Sequence, residues 1–381
     1  MGQSGFASAS SRMAGKRPAA RDKALMRRAL ANAERGWGQT APNPMVGAVV
    51  VSGSKVIAEG WHRSFGGPHA EVEALRMAGD RARGSTVYTT LEPCTHHGKT
   101  PPCADALIAA GVRRVVVATR DPHPLAKGGV DRLRNAGIVV DVGIEAGSAC
   151  ELNAPFFNSF VSDRPWVTLK LAMSADGAIA DPTSRRRWIT GPGARLDGHR
   201  MRAGVDAIAV GIGTVLADDP ELTVRGVPAP RRQPTRVIFD SRLRISEQST
   251  IVKSAARVPT IIVVGAAPDE TLRSMATHGI DLILANGLPD ALRRLQAAGI
   301  QSLLLEGGAR LAGAFLREKL VDRLTIFRAP AVLGNDALKG FAHAPADMED
   351  LLETLPVVDR RTFGEDTLIT YALREVPCSP A

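Results

Sequence analysis

Cysteine is scarce in this sequence: four occur in 381 residues, at positions 94, 103, 150 and 378, with no regular spacing. So few exclude a disulfide framework and point to a reducing compartment. Aromatic residues are scarce too, at 4% with two Tyr and four Trp. A stacking platform for single-stranded nucleic acid needs exposed aromatic faces, so no nucleic-acid partner is expected. No apolar run approaches the roughly 20 residues that cross a bilayer, so no membrane partner is expected either. Acids are outnumbered, 39 Asp and Glu against 48 Lys and Arg, for a formal charge of +9. That surplus suits phosphorylated small molecules, although an Ala- and Arg-rich genome would account for it equally well. Residues 1–22 lack any acid before Asp22 and any apolar core, which excludes a secretory signal. They read as a disordered tail on a cytoplasmic protein, with an organelle transit peptide as the lesser alternative.

What is present is 44% hydrophobic content, enough for two cores. KALMRRALANAERG has apolar residues at helical spacing and stops at Gly36. MVGAVVV and KVIAEGW read as strands around the hairpin signal Ser52-Gly53-Ser54. HAEVEALRMAG and PCADALIAAG read as helices alternating with the strands STVYTTLEP and RRVVVAT, and GGVDRLRNAGIVVDVG adds a last helix and strand. Such alternation implies an α/β sheet. ELNAPFFNSFVSDRP reads as a join. A second α/β series follows: WVTLKLAMSADG, DAIAVG, TRVIFD, TIIVVG, DLILA, SLLLE and VDRLTIFRAP as strands, GPGARLDGHRMRAG and LPDALRRLQAAG among the helices. The halves show no internal repeat.

The first half carries a chemical pattern. His69 and Glu71 open one helix, and Cys94 and Cys103 bracket the start of the next. Helix N-termini favour thiolate over thiol. One imidazole and two thiolates make the three-ligand set of a catalytic zinc, which leaves a fourth position open. Glu71 is placed to move protons without binding the metal. Singly, each residue is more often a packed or surface side chain. In this order, with Pro93 before the first cysteine, they form the H-x-E…P-C…C signature of zinc-dependent base and nucleoside deaminases. The eight residues between Cys94 and Cys103 are a departure, since two is usual; the added His96, Lys99 and Thr100 make a polar, cationic loop.

NPMVGAVVV, GWHRSFGGPHAEVEAL, TLEPCTHHGKTPPCADALIAAGVRRVVVATRDPHP and ELNAPFF together resemble the deaminase half of the bifunctional riboflavin-biosynthesis deaminase–reductase family, from Lys23 to Phe160. The resemblance implies a cytidine-deaminase-like α/β domain with one Zn2+ on His69, Cys94 and Cys103, and Glu71 as proton donor. The reaction implied is hydrolytic deamination of 2,5-diamino-6-(5-phosphoribosylamino)pyrimidin-4(3H)-one, with Asn43, His62, His96 and Lys99 contacting this phosphorylated pyrimidine.

The second half has no complete dinucleotide-binding glycine fingerprint, only two glycines between strand and helix in LLLEGGARLAGAF. WVTLKLAMSADGAIA, RRWITG, GIGTVLADDPELTVR and LLLEGGARL together resemble the reductase half of the same family. That implies a dihydrofolate-reductase-like α/β domain that uses NADPH to reduce the ribosyl group of 5-amino-6-(5-phosphoribosylamino)uracil to ribityl. Ala172, Trp188, Thr214, Asp218 and Gly308 are then nicotinamide-nucleotide contacts. Lys170, Arg202, Leu222, Arg225 and Glu306 are substrate contacts, with Arg186 at a position where the family usually has Ser. Asp218 is chosen over its neighbour Asp219 only for its place after TVLA.

The expected organisation is a tail at 1–22, a deaminase domain at 23–163, a reductase domain at 164–376 and a C-terminal tail at 377–381. The resemblance also implies a homodimer or tetramer. Two other readings stand beside this one. A nucleoside or RNA deaminase with a redox-inert second domain is opposed by the TPPC loop and the low aromatic content. A non-enzymatic module with a structural zinc needs a fourth ligand, for which Cys150 is the remaining candidate.

Overall fold

In the computed structural model the described residues are 20–97, 101–181, 188–265 and 269–378. Lys99 and Arg186 lie outside them. Helix α1 (Ala20–Ala33) turns Met26, Ala29, Leu30 and Ala33 inward at helical spacing. It begins three residues before the expected start, inside the stretch read as tail. The reason is Asp22: Tyr88 Oη donates to it at 2.6 Å, and Arg114 reaches both its carboxylate oxygens and Asp141. Hydrogen bonding from Arg114, working against burial, holds the Asp22 carboxyl below its usual range. Strands β1 (Gly47–Ser52) and β2 (Lys55–Trp61) pair antiparallel around Gly53, whose φ of 57° fits the tight turn. There follow α2 (Ala70–Ala78), β3 (Thr86–Thr89), α3 (Cys103–Ala109), β4 (Arg114–Val117), α4 (Gly129–Asn135) and β5 (Val139–Val142).

Among the described residues the first sheet has five strands in the order β2-β1-β3-β4-β5, the last three parallel. Both faces are covered, which explains the unbroken apolar run of β1. Ala48 and Val50 pack with α2, α3 and α4; Val49 and Val51 pack with α1. Each such buried valine is worth about 1.5–3 kcal/mol. Gly60 lets α2 lie directly on β2, since a Cβ there would fall 2.3 Å from the Ala70 carbonyl oxygen. The stretch read as a join, 151–165, instead holds the end of one short helix, α5 (Ala146–Leu152), and the whole of another, α6 (Ala154–Asn158). Their buried faces, Ala149, Cys150 and Phe157, are too short a pattern to show helical periodicity in the sequence.

The second domain opens with β6 (Trp166–Met173), β7 (Ala178–Ala180), α7 (Pro192–Ala203), β8 (Ala207–Gly211) and α8 (Ile212–Asp218). Then come β9 (Thr235–Phe239), α9 (Thr250–Lys253), β10 (Thr260–Val264), α10 (Asp269–Thr277), β11 (Asp281–Leu284) and α11 (Gly287–Ala297). It closes with β12 (Ser302–Leu305), α12 (Ala309–Arg317), β13 (Arg323–Arg328), β14 (Leu338–Lys339), α13 (Met348–Thr354), β15 (Val357–Phe363) and β16 (Asp366–Ala372). Among the described residues the main sheet is nine-stranded, β11-β10-β9-β8-β12-β6-β13-β16-β15, parallel from β11 to β13 and antiparallel at β16 and β15. Alternate residues of β8 feed opposite cores: Ala207 and Ala209 face α11 and α12, and Ile208 and Val210 face α8 and α9.

The domains are clasped by charge and by loop. Arg323 on β13 makes a forked pair with Glu151 on α5, and at the start of the second domain Arg164 is fixed by a fork onto that domain's own fully buried Asp322. Trp37 Nε1 donates to the Arg200 carbonyl and Gln39 Nε2 to that of Ala229, each at 2.8 Å. Cys150 and Cys378, 228 residues apart, form a disulfide with Cα atoms 5.8 Å apart. One bridge is not the framework that composition excludes, but it ties Cys378 down where residues 377–381 read as a tail; packing against α5, which no spacing records, brings the two cysteines together.

Candidate zinc centre and reductase cleft

His69 is the N-cap of α2 and Glu71 lies in its first turn; Cys103 is the first residue of α3, and Cys94 is in the loop after β3. Since α2 and α3 pack on one face of the first sheet, their N-termini lie side by side. The ligand atoms of His69, Cys94 and Cys103 all fall within 4.8 Å of one another. His69 Nδ1 is 3.1 Å from Cys103 Sγ and 3.5 Å from Cys94 Sγ. A tetrahedral zinc with N and S ligands has edges of about 3.5 Å, so the three side chains fit that ion. The Cys103 N–H donates to Cys94 Sγ at 3.4 Å. Hydrogen bonding from Cys103 and His69 outweighs burial and draws the Cys94 thiol down, toward the thiolate a metal requires, while the hydrogen bond to Cys94 and burial push its partner Cys103 up. Cys94 and Cys103 are both free thiols, and Cys150, the candidate fourth ligand of a structural site, is bonded to Cys378.

Glu71 lies against this triad, 3% exposed, with Thr89 Oγ1 3.3 Å from its Oε1. Burial raises its pKa, against the opposing pull of His69. His62 and Asn43 face the same pocket. The His62 Nδ1 donates to the Pro68 carbonyl at 3.0 Å, which leaves Nε2 to accept from Asn43 Nδ2 at 3.4 Å. Burial lowers the His62 pKa, so the neutral tautomer is the resting form. His96 lines the pocket, and its buried Nδ1 has no partner among the described residues. The pocket thus unites His69, Glu71, Cys94, Asn43, His62 and His96.

It also holds Asp121, His123 and Phe156, which the sequence reading did not single out. Burial, together with the charges of Glu92, Cys94 and Glu71, pushes the Asp121 carboxyl up to about 7. Its Oδ1 accepts the His123 N–H, a local turn written in Asp121-Pro122-His123. Glu92 holds that wall by accepting the N–H groups of Asp121 and Val130. The signal that could have found Asp121 is its place just past the carboxyl end of a parallel strand, β4, where ligands collect.

In the second domain the named residues gather at the carboxyl ends of neighbouring strands. Lys170 and Ala172 are on β6, Glu306 follows β12 beside it, and Arg202 reaches in from α7. Arg202 forks onto Glu306 at 2.7 and 2.8 Å and donates to the Thr223 carbonyl. Burial alone would raise Glu306, but Arg202 and Lys170 bring it to about 2; burial lowers Lys170. Leu222 is buried with φ 50°, and Arg225, beyond it, pairs with Glu221. His199, missed by the sequence reading, accepts the Arg225 N–H. Thr214 in α8 lies beside Gly308, the N-cap of α12, a place for backbone N–H groups to meet an anion. Trp188 is half exposed, with the Arg195 guanidinium 5.1 Å from its ring. Asp219 spends its carboxylate on Thr250 N and Oγ1, at 2.8 and 2.6 Å, whereas Asp218 ends α8 exposed.

The fold and the two sites define a class: a zinc-dependent deaminase domain joined to a nucleotide-dependent reductase domain. The family description "Cytidine and deoxycytidylate deaminase zinc-binding region" matches residues 19–119, and "RibD C-terminal domain" matches residues 165–368. The chain is 41% identical over 355 residues to the riboflavin biosynthesis protein RibD of Aquifex aeolicus, covering 92% of this chain and 98% of that one. The structure of Acinetobacter baumannii RibD (form 1) is similar with a TM-score of 0.79 at 39% identity, covering 92% of this chain and 98% of that one. A diaminohydroxyphosphoribosylaminopyrimidine deaminase/5-amino-6-(5-phosphoribosylamino)uracil reductase from Thermotoga maritima gives 0.79 at 34% identity, with the same coverage. The chain belongs to the RibD family and is a bifunctional deaminase and reductase of riboflavin biosynthesis, with zinc in its first domain and NADPH as the cofactor of its second.

Proposed function

We propose that the first domain converts 2,5-diamino-6-(5-phosphoribosylamino)pyrimidin-4(3H)-one to 5-amino-6-(5-phosphoribosylamino)uracil, and that the second reduces the ribosyl group of that product to ribityl. The observation that carries the reading is the convergence of His69, Cys94 and Cys103 beside the buried carboxyl of Glu71. Zinc held by these ligands would supply Lewis acidity to the attacking water. Glu71 takes a proton from that water and passes it to the amine that leaves as ammonia. Asn43 and the neutral His62 orient the pyrimidine, and His96 offers its unpartnered Nδ1. Lys99 is assigned to the phosphoribosyl group.

In the second domain bound NADPH would supply the hydride. Ala172, Trp188, Thr214, Asp218 and Gly308 are assigned to the nucleotide; the adjacency of Thr214 and Gly308 supports this. Lys170, Arg186, Arg202, Leu222, Arg225 and Glu306 are assigned to substrate, supported by the partly buried Lys170–Glu306–Arg202 cluster. Arg225 suits a phosphate by its charge and fork geometry. The domains are assigned to residues 23–163 and 164–376. We place the protein in the cytoplasm as a homodimer or tetramer that acts on a phosphorylated pyrimidine, with no nucleic-acid or membrane partner. No described helix is long and apolar enough to cross a membrane.

Incubation with the diaminopyrimidine phosphoriboside, with and without NADPH, tests the reading. Ammonia is expected in both cases and NADPH consumption only when the nucleotide is supplied. Ammonia release from RNA or a free nucleoside, but not from the phosphoriboside, would replace it.

A further inference from the structure

The last described residues run back from the second domain and end beside the deaminase pocket. After β16 the Leu373 N–H donates to the Asp322 carbonyl at 3.0 Å, and the Arg374 carbonyl accepts from Arg323 Nη1 at 2.6 Å. Arg323 is itself forked onto Glu151, so the departing chain is anchored on both domains. Val376 and Cys378 then pack into an apolar cluster formed by Leu91, Cys150 and Phe157, where Cys378 is bonded to Cys150. Val46 and Phe156 border the same cluster, and Val46, Leu91 and Phe156 also line the pocket that holds His69 and Glu71. One layer of side chains thus touches the C-terminal segment on one side and the deaminase pocket on the other. Leu91 also lies close to the proton carrier: Thr89 Oγ1 is 3.1 Å from the Leu91 carbonyl oxygen and 3.3 Å from Glu71 Oε1.

We propose that Glu375–Cys378 is an intramolecular strap through which the reductase domain sets the shape of the deaminase pocket, with Val376 and Cys378 as positioning residues for deamination. Without the strap, the apolar cluster loses one wall and admits water. Leu91 and Phe156 then have room to move, and with them the rim against which the pyrimidine sits. The proposal rests on the reading of the His69–Glu71 pocket as the site of deamination.

The test compares the full chain with a chain ending at Glu375, both loaded with zinc. Four quantities are measured: zinc content, ammonia release, NADPH consumption on already deaminated substrate, and hydrogen exchange in segments 88–92 and 154–158. The truncated chain is expected to keep its zinc and its reductase rate, to exchange faster in both segments, and to show a deaminase KM raised roughly tenfold, the scale of a small misplacement at a binding site. Unchanged deaminase kinetics and exchange would overturn the proposal, as would an equal fall in both activities. If the truncated chain does not fold, full chains carrying Val376→Ser and Cys378→Ser are read by the same criteria. If the parent chain releases no ammonia, the reading of the pocket fails, and the exchange rates still decide whether the strap orders its wall.

Discussion

Arg202 and Glu306 meet in a two-bond fork at 2.7 and 2.8 Å, and two partly buried cations, Arg202 and Lys170, attract the Glu306 carboxylate. The charge on Glu306 makes both cations tolerable away from water. Glu306→Gln is therefore expected to destabilise the domain, by less than the roughly 3–5 kcal/mol of a fully buried pair, and to abolish reduction. The sign of the pH effect follows from the carboxyl's fall to about 2 from 4.5. Its contribution is present above the unfolded value and is lost as pH drops toward the folded one. Denaturant unfolding across that acid range should show the slope in the parent and a shallower one in Glu306→Gln; identical slopes would contradict it.

Glu71→Ala should keep its zinc, because Glu71 is not among the three converging ligands. Ammonia release should fall by about 10²–10⁴-fold, the ordinary contribution of a positioned acid–base group. Metal analysis and an ammonia assay on one preparation decide the matter, and loss of the metal would sink the proton-carrier role.

Chelation should silence one activity and spare the other. Stripping zinc removes ammonia release, whereas NADPH consumption on already deaminated substrate should persist, since the reductase cleft is built from residues of another sheet. Parallel loss of both would show that the two sites are not independent.

Asp218 and Asp219 should behave differently. Asp219 is engaged with Thr250, whereas Asp218, the residue we assign to the nucleotide, is exposed at the end of α8. Asp218→Asn should raise the NADPH KM roughly tenfold, the size of one charge-assisted hydrogen bond, with deamination unaffected. Asp219→Asn should leave that KM much closer to the parent value. Steady-state kinetics of the two variants separates the roles, and the reverse ranking would reassign them.

Gly60→Ala places a Cβ 2.3 Å from the Ala70 carbonyl oxygen, at the start of the helix that carries Glu71 and is capped by His69. Overpacking of this kind costs about 1–3 kcal/mol. Here it should also weaken zinc binding, because α2 must shift. A zinc titration beside a thermal melt checks both, and undiminished affinity would show that the helix start does not set the ligand geometry.

Much of the chemistry was legible in the residues alone. His69-x-Glu71 and Cys103 sit at helix starts signalled by local pattern, Pro93-Cys94 follows the strand signal of β3, and the valine run of β1 and the Gly53 turn are likewise short-range features. These depend on a few neighbouring residues, so a sequence can carry them. What the tertiary structure alone decided is of another kind. The start of α1 depends on Asp22 meeting Tyr88 and Arg114; the pocket wall depends on the Asp121–His123 turn meeting Phe156 from α6; the reductase cleft depends on Arg202 finding Glu306. Cys150 and Cys378 pair across 228 residues. No local period records such partnerships, because they form only when sheet order and helix packing bring distant stretches together, and burial then makes an unpaired charge or polar group too costly to leave alone.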